Sequence, residues 1–539
     1  MNFEQSFLNE QIITYLGNKR KLIQFIDESI NKIINTDDTL KDKPLKNITF
    51  FDIFSGSGIV SRYGKAKGFK VLSNDLEIYS EVINESLLNT TPKEANIIFR
   101  KVVEKINFSF NLNLTTKGDT YQTVIDFLNT LKKPAKEESY YFSKHYAPKD
   151  TNNYDFNKER LFYTQENALI IDAIVEVIYD KKIFSKRAKN IILASLMYMM
   201  TRHINTSGTM KGFHNGWGGP THTALHRIMA EIQLKKLPLI EGEKAIVFQD
   251  YAEKVFINQN IKEVDIIYAD PPYNQHQYSA NYNHLVTICK NDKYNPGEVK
   301  QGSRAGIRVD HNRSDFCKSI KNEENIRYAE KAFMDFIENI KCKYLVVSYN
   351  NEGVLKIDKL LEILSNNYKN FIYVEKQTYS KFKGGKNTKQ VDSVIEYLLI
   401  VKMNIQQTEK ELEELKKELS KNEVKHLFLN KYINFLNIDT KFSIDFDSEF
   451  ALIKKEGNTI LKIHKQSYKV LEENIDFLTC EEIEYFHNIE LDKTQLIEKY
   501  IEDKNHVLAK KLLPSFNIKK LKDKKELYSA KILEIESNK

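Results

Sequence analysis

Four consecutive residues, Asp270-Pro271-Pro272-Tyr273, carry the sharpest chemical signal in the chain. They follow VDIIYA (264–269), an apolar run that reads as a buried strand. With only 10 prolines in 539 residues, an adjacent pair flanked by an acid and a tyrosine stands well above background. A rigid Pro-Pro turn after a strand presents Asp270 and a backbone carbonyl at the C-terminal edge of a sheet, where α/β proteins bind ligands. Two acceptors aimed at one point suit an exocyclic amine, which donates two hydrogen bonds. Tyr273 offers a ring face for base stacking, a contact worth roughly 1–3 kcal/mol. An Asp near its reference pKa is a weak base, so the expected role of Asp270 is to orient the amine, not to deprotonate it beforehand.

A second signal is Phe54-Ser55-Gly56-Ser57-Gly58, between an expected strand and helix. Glycines there let the backbone pass close to a ligand at a helix start, although a ligand-free βα turn needs the same residues. Asp75, at the end of the next strand, favours the ligand reading, because an acid there accepts from ribose hydroxyls. The loop lacks GxxxxGK[ST], which argues against a triphosphate cradle. The N-terminal Tyr15-Leu16-Gly17-Asn18-Lys19-Arg20-Lys21 reads, by itself, as the start of a basic helix. His222 and His226, four apart on an expected helix, have metal-compatible spacing, but acids are lacking nearby and no metal is expected.

These residues need strands to hold them. Apolar runs at 47–54, 69–72, 245–248, 264–269, 344–349, 371–375 and 394–401 read as strands, and 15–34, 166–179 and 188–202 as helices. The alternation implies a doubly wound, Rossmann-like α/β sheet. Residues 1–107 and 241–404 form its two parts, and a mainly helical insertion occupies 108–240. That insertion ends near SGTMKGFHNGWGGP (207–220), which holds five of the chain's 19 glycines and its only tryptophan. Residues 405–425 read as a polar linker helix, leading to a small α+β accessory domain that ends at 539.

Composition bounds the rest. Hydrophobic residues make up 41% of the chain and charged residues 29%, enough apolar content for packed cores. The apolar run 191–200 is too short to span a bilayer, and the first residues lack the pattern of a secretory signal. The four scattered cysteines, Cys289, Cys317, Cys342 and Cys480, argue against a disulfide framework. The expectation is a soluble, reduced, cytoplasmic monomer. Net charge is +7, and residues 140–240 hold 14 basic against 8 acidic side chains, a local surplus suited to phosphates.

Taken in order, Tyr-x-Gly-x-Lys, DIFSGSG, a long insertion and DPPY resemble the DNA adenine-N6 methyltransferases of restriction–modification systems, in the class related to the bacterial DNA adenine methylase. The resemblance covers about residues 12–402 and continues through NQHQYSANYNHL, GSRAGIR, VVSYNNEG and VIEYLLIVK. It implies a class I methyltransferase sheet with S-adenosylmethionine as cofactor, bound by Tyr15, Lys19, Phe54, Ser55, Gly56, Gly58, Asp75, Asp250 and Asp270. Asp270, Pro271, Pro272 and Tyr273 would hold a flipped adenine. Arg202, Asn205, Lys211 and Asn215 fall where the family has a loop that touches DNA, although Arg202-His203-Ile204-Asn205 replaces Arg-Tyr-Asn.

The implied chemistry is direct transfer of a methyl group to the N6 amine of adenine in double-stranded DNA, with base flipping and no metal. A cognate restriction endonuclease acting on the same site is the implied partner. Competing readings are an RNA methyltransferase acting on a base amine, a non-catalytic DNA-binding protein that kept the fold, and a nuclease fused in 405–539, where no convincing Asp…Glu-x-Lys cluster is found.

Overall fold

The computed structural model describes residues 5–272, 275, 277–300, 304–350, 353–380, 393–428, 442–471, 482, 485, 486, 491, 493–513 and 522–537. They divide into two compact units, 1–412 and 413–539.

The first unit is built on seven strands: β1 (Thr49–Asp52), β2 (Lys70–Asp75), β3 (Ile246–Gln249), β4 (Val264–Ala269), β5 (Cys342–Asn350), β6 (Phe371–Ser380) and β7 (Ser393–Lys402). Their order is β3-β2-β1-β4-β5-β7-β6. The first five run parallel, and β7 lies antiparallel between β5 and β6. This mostly parallel mixed sheet agrees with the class I methyltransferase fold. Every residue of β4 is buried, as a strand covered on both faces requires. The chain leaves β1 toward β2 on one side, and β4 pairs on the other. That reversal opens a crevice at the C-terminal ends of β1 and β4.

Between β2 and β3 the chain forms a series of helices, among them Pro92–Phe110, Gln165–Ile178 and Lys186–His203. Their starts are well specified. Thr91 and Glu94 form a reciprocal capping box with Pro92 in the first turn. Thr164 and Ser185 cap the other two by accepting from Asn167 N and Ala188 N. The buried faces of these helices share one continuous apolar core with the sheet, through residues such as Ile171 and Ile192 on the helices and Ile266 on β4.

The expected helix over 15–34 is shorter than its periodicity suggested. Gly17 sits at φ +73°, and the Asn18 side chain accepts from Arg20 N, so 15–18 is irregular. A 3-10 turn, Lys19–Leu22, then leads into helix Ile23–Thr36. A left-handed glycine followed by a capping asparagine interrupts a helix even where apolar spacing continues.

The second unit contains a four-stranded antiparallel sheet from Ser443–Phe446, Phe450–Lys455, Asn458–His464 and Val470–Leu471. It has its own apolar cluster, including Ile453, Leu461 and Ile497. Helix Glu409–Phe428 crosses the boundary between the units and is polar, as expected. Among the described residues, no helix is long and apolar enough to cross a membrane.

Candidate active site

The loop after β1 is set by backbone geometry. Ser55 N donates to Asn74 O at 2.8 Å, and Gly58 N to Ser55 O at 2.7 Å. Gly56 adopts φ +50°, and a Cβ there would meet the Tyr15 ring at 2.8 Å. Gly58, at φ +77°, caps helix Ile59–Lys67, and a Cβ on it would run into the Asn84 amide. Only glycine meets both demands at these positions. Asp75, at the end of β2, ties strand to loop: its Oδ2 accepts from Gly56 N at 2.7 Å and its Oδ1 from Glu77 N at 2.9 Å.

The N-terminal segment lies across this loop. Tyr15 stacks on Tyr282 with centroids 4.9 Å apart and contacts Tyr278 at 5.2 Å. Leu16 N donates to the Tyr282 hydroxyl at 2.7 Å, and Asn18 Nδ2 to Ser57 Oγ at 3.3 Å. One cleft of about 930 Å³ results, lined by residues from six separate stretches of chain. Tyr15, Lys19, Phe54, Ser55, Gly56, Asp75, Asp250, Asp270, Pro271 and Pro272 all face it. Gly58 does not; it shapes the loop from behind as a helix cap. The Asp250 carboxylate accepts from the side chains of Asn258 at 3.0 Å and Gln259 at 3.1 Å, which hold it at the rim. Tyr273 lies outside the described residues.

Asp270 does not stand alone. Lys19 Nζ lies 3.2 Å from Asp270 Oδ1 and 2.5 Å from Glu396 Oε1, and Ser348 Oγ also donates to Glu396. Lys19 and Glu396 are almost fully buried, whereas the Asp270 side chain is 19% exposed, toward the cleft. One ammonium therefore serves two carboxylates. Burial pushes the Asp270 carboxyl up to about 7, with Lys19 opposing and Glu396 reinforcing the shift. This corrects the expectation of an ordinary aspartate. Burial likewise lifts Asp52 to about 7, Asp75 to about 6 and Glu77 to about 8. The cleft is thus rich in acids, with Lys19 the cation set among them. A cationic ligand suits it better than a phosphate.

The description D12 class N6 adenine-specific DNA methyltransferase matches residues 15–363. The chain belongs to this family.

Within the methyltransferase relatives, the chain is 29% identical over 362 residues to modification methylase LlaI of Lactococcus lactis subsp. lactis, covering 65% of this chain and 48% of that protein. It is 26% identical to type II methyltransferase M.NlaIII of Neisseria lactamica, covering 72% of this chain and 99% of the relative. It is 29% identical to type II methyltransferase M.CviAII of Paramecium bursaria Chlorella virus 1, covering 72% and 98%. The chain thus spans about half of the first relative and nearly all of the other two. No solved structure matches the chain.

The four residues expected on DNA separate in this methyltransferase. Arg202 and Lys211 are exposed. Asn215 is exposed too, and its Oδ1 accepts from Arg304. Asn205 is a correction. It is fully buried, its Nδ2 donates to the carbonyls of Leu161, His214 and Gly216, and its Oδ1 accepts from Gly218 N at 3.2 Å. Its polar atoms are committed to folding the glycine-rich loop, which leaves none for a duplex. His222 is not helical either: it sits at φ +53°, outside helix Leu225–Met229, so the spacing that invited a metal does not place it beside His226 on one face. Among the described residues, no group of three or more His, Cys, Asp or Glu could hold a metal.

Sequence reasoning missed Glu396, Tyr282 and Glu77. Glu396 left a usable signal, as a lone acid inside the apolar strand VIEYLLIVK.

Proposed function

We propose that this chain transfers a methyl group from S-adenosylmethionine to the N6 amine of a flipped adenine at a specific site in double-stranded DNA, protecting host DNA from a cognate restriction endonuclease. The observation that carries the reading is the meeting of Asp270-Pro271 with Gly56 and Asp75 around one acid-rich cleft. Gly56 lets the Tyr15 ring close on the loop where any Cβ would collide with it, and the clustered acids suit a cation with ribose hydroxyls. When bound, the cofactor supplies an electrophilic methyl on a sulfonium.

Each residue then has a task. Asp75 accepts from the ribose, and Asp250 meets the adenine end of the cofactor at the rim. Tyr15, Phe54, Ser55 and Gly56 wall the methionine part, and Gly58 fixes their loop. Asp270 and the Pro271 carbonyl accept from the two N–H bonds of the target amine, aiming its lone pair at the methyl carbon. Tyr273 stacks on the base and Pro272 stiffens the turn. Methyl transfer to that nitrogen would leave the bound cofactor as a neutral thioether, and Asp270 would receive the proton that the methylated nitrogen sheds. Duplex DNA buries the amine, so the base must be flipped.

The insertion at 108–240 is the proposed target-recognition region, with Arg202, Lys211 and Asn215 toward the duplex. Residues 1–107 and 241–404 make the methyltransferase domain, and 405–539 an accessory domain. A cytoplasmic monomer suffices for this chemistry. Single-molecule sequencing, with modified-base detection, of DNA from a methylation-free host expressing the chain tests the reading. Methylated adenine in one short recurrent sequence is expected. Unmodified DNA from cells with soluble, cofactor-bound protein would overturn it in favour of RNA.

A further inference from the structure

A second groove, of about 780 Å³, lies behind the N-terminal segment. Its lining includes Thr14, Tyr198, Thr201, Arg202, Thr209 and Arg227, and no acid. Arg202 donates to the Tyr198 hydroxyl at 3.2 Å, and among the described residues neither it nor Arg227 pairs with a carboxylate. Arg227 is half-buried, and Arg202 acts on it as a neighbouring like charge. Two guanidinium groups facing one groove without a counter-charge repel each other, an arrangement that an anion relieves. The hydroxyls of Thr14 and Thr209 add donors that suit phosphate oxygens.

The groove is also next to the chemistry. Tyr282 lines it, and Tyr282 stacks on Tyr15, which lines the cofactor cleft. A stack of two aromatic rings therefore lies between the two spaces.

We propose that this groove holds the DNA backbone phosphate adjoining the flipped adenosine, gripped by Arg202 and Arg227. The inference rests on the DNA methyltransferase reading and adds the phosphodiester site that turns the target nucleotide toward Asp270. Arg227 lies outside the loop to which the resemblance assigned DNA contacts, so the assignment comes from the groove.

The test is a cycle between protein and DNA, run after the target sequence is mapped. Affinity is measured for duplexes carrying a neutral methylphosphonate at either phosphate flanking the target adenine, with wild type, Arg227→Gln and Arg227→Lys. One of the two methylphosphonates is expected to weaken wild-type binding about 10-fold, as loss of a charge-assisted contact does. The same change should weaken Arg227→Gln binding by less than about 2-fold, with Arg227→Lys between. The salt slope of Arg227→Gln should fall by about 1, and its cofactor affinity should stay at the wild-type value, which shows that it is folded. Independent effects of the two changes, or an altered target sequence in Arg227→Gln, would overturn the phosphate site. Wild type that binds no duplex would instead overturn the underlying reading.

Discussion

Glu396 is the residue whose chemistry reaches furthest beyond its own position. It holds the Lys19 ammonium at 2.5 Å, closer than Asp270 does at 3.2 Å. Without that hold Lys19 would close on Asp270 and occupy the acceptor proposed for the target amine. Glu396→Gln is therefore expected to lower kcat roughly 10–100-fold while leaving cofactor affinity nearly unchanged, checked by steady-state kinetics and calorimetry. It also removes a charge that lifts the Asp270 pKa, so the acid limb of the pH profile should move to lower pH. The groups acting there are Lys19 from the N-terminal segment, Glu396 from β7, Asp52 from β1 and Tyr268 from β4. In wild type, kcat/KM should fall as pH drops through about 7, because protonation takes away a lone pair that the amine needs. The kcat limb should lie lower, since a bound sulfonium favours the carboxylate. An activity that stays flat from pH 8 to 6 would contradict this role, as would activity retained by Asp270→Ala.

At the scale of elements, the glycine loops carry the sharpest constraints. Gly56→Ala would force a Cβ into the Tyr15 ring at a positive φ, so cofactor affinity should fall at least about 10-fold, read by calorimetry. Asn205→Ala would strip partners from three carbonyls and the Gly218 amide, with an expected loss of about 1–3 kcal/mol in chemical denaturation. The strands were legible in sequence because buried parallel strands are almost uninterrupted apolar runs, as VDIIYA shows. The motif residues were legible because Pro-Pro and Gly-x-Gly are rare and stiffly specified. Other features were not. The break at Gly17-Asn18 depends on a backbone angle and a side-chain cap that override apolar periodicity. The true task of Asn205 depends on carbonyls 44 residues before it and up to 11 after it, which no local pattern reveals.

For the whole molecule, the acid-rich cleft sets a link between pH and stability. Asp52, Asp75, Glu77 and Asp270 have folded pKa values of about 6 to 8, above those of an unfolded chain. The folded state therefore keeps protons that the unfolded chain has already released. Their contribution is fully present below about pH 4 and is lost as pH rises through 6 to 8. The melting temperature of the cofactor-free protein should accordingly rise as pH is lowered from 8 to 6, measured by calorimetry. A cationic cofactor should release protons on binding, seen as an enthalpy that depends on buffer ionisation, and a neutral thioether analogue should release fewer.

The pair between Lys19 and Glu396 spans 377 positions. A ribosome adding 5–20 residues per second needs on the order of 20–75 s to pass from one to the other. Throughout that interval the nascent chain carries the lysine of its proposed reaction centre without the glutamate that holds it. Premature termination before residue 396 would thus yield a product with every glycine-loop residue present and its reaction centre unassembled. Competence to modify DNA is therefore expected late in synthesis, once β7, the last strand of the sheet in sequence, has paired between β5 and β6.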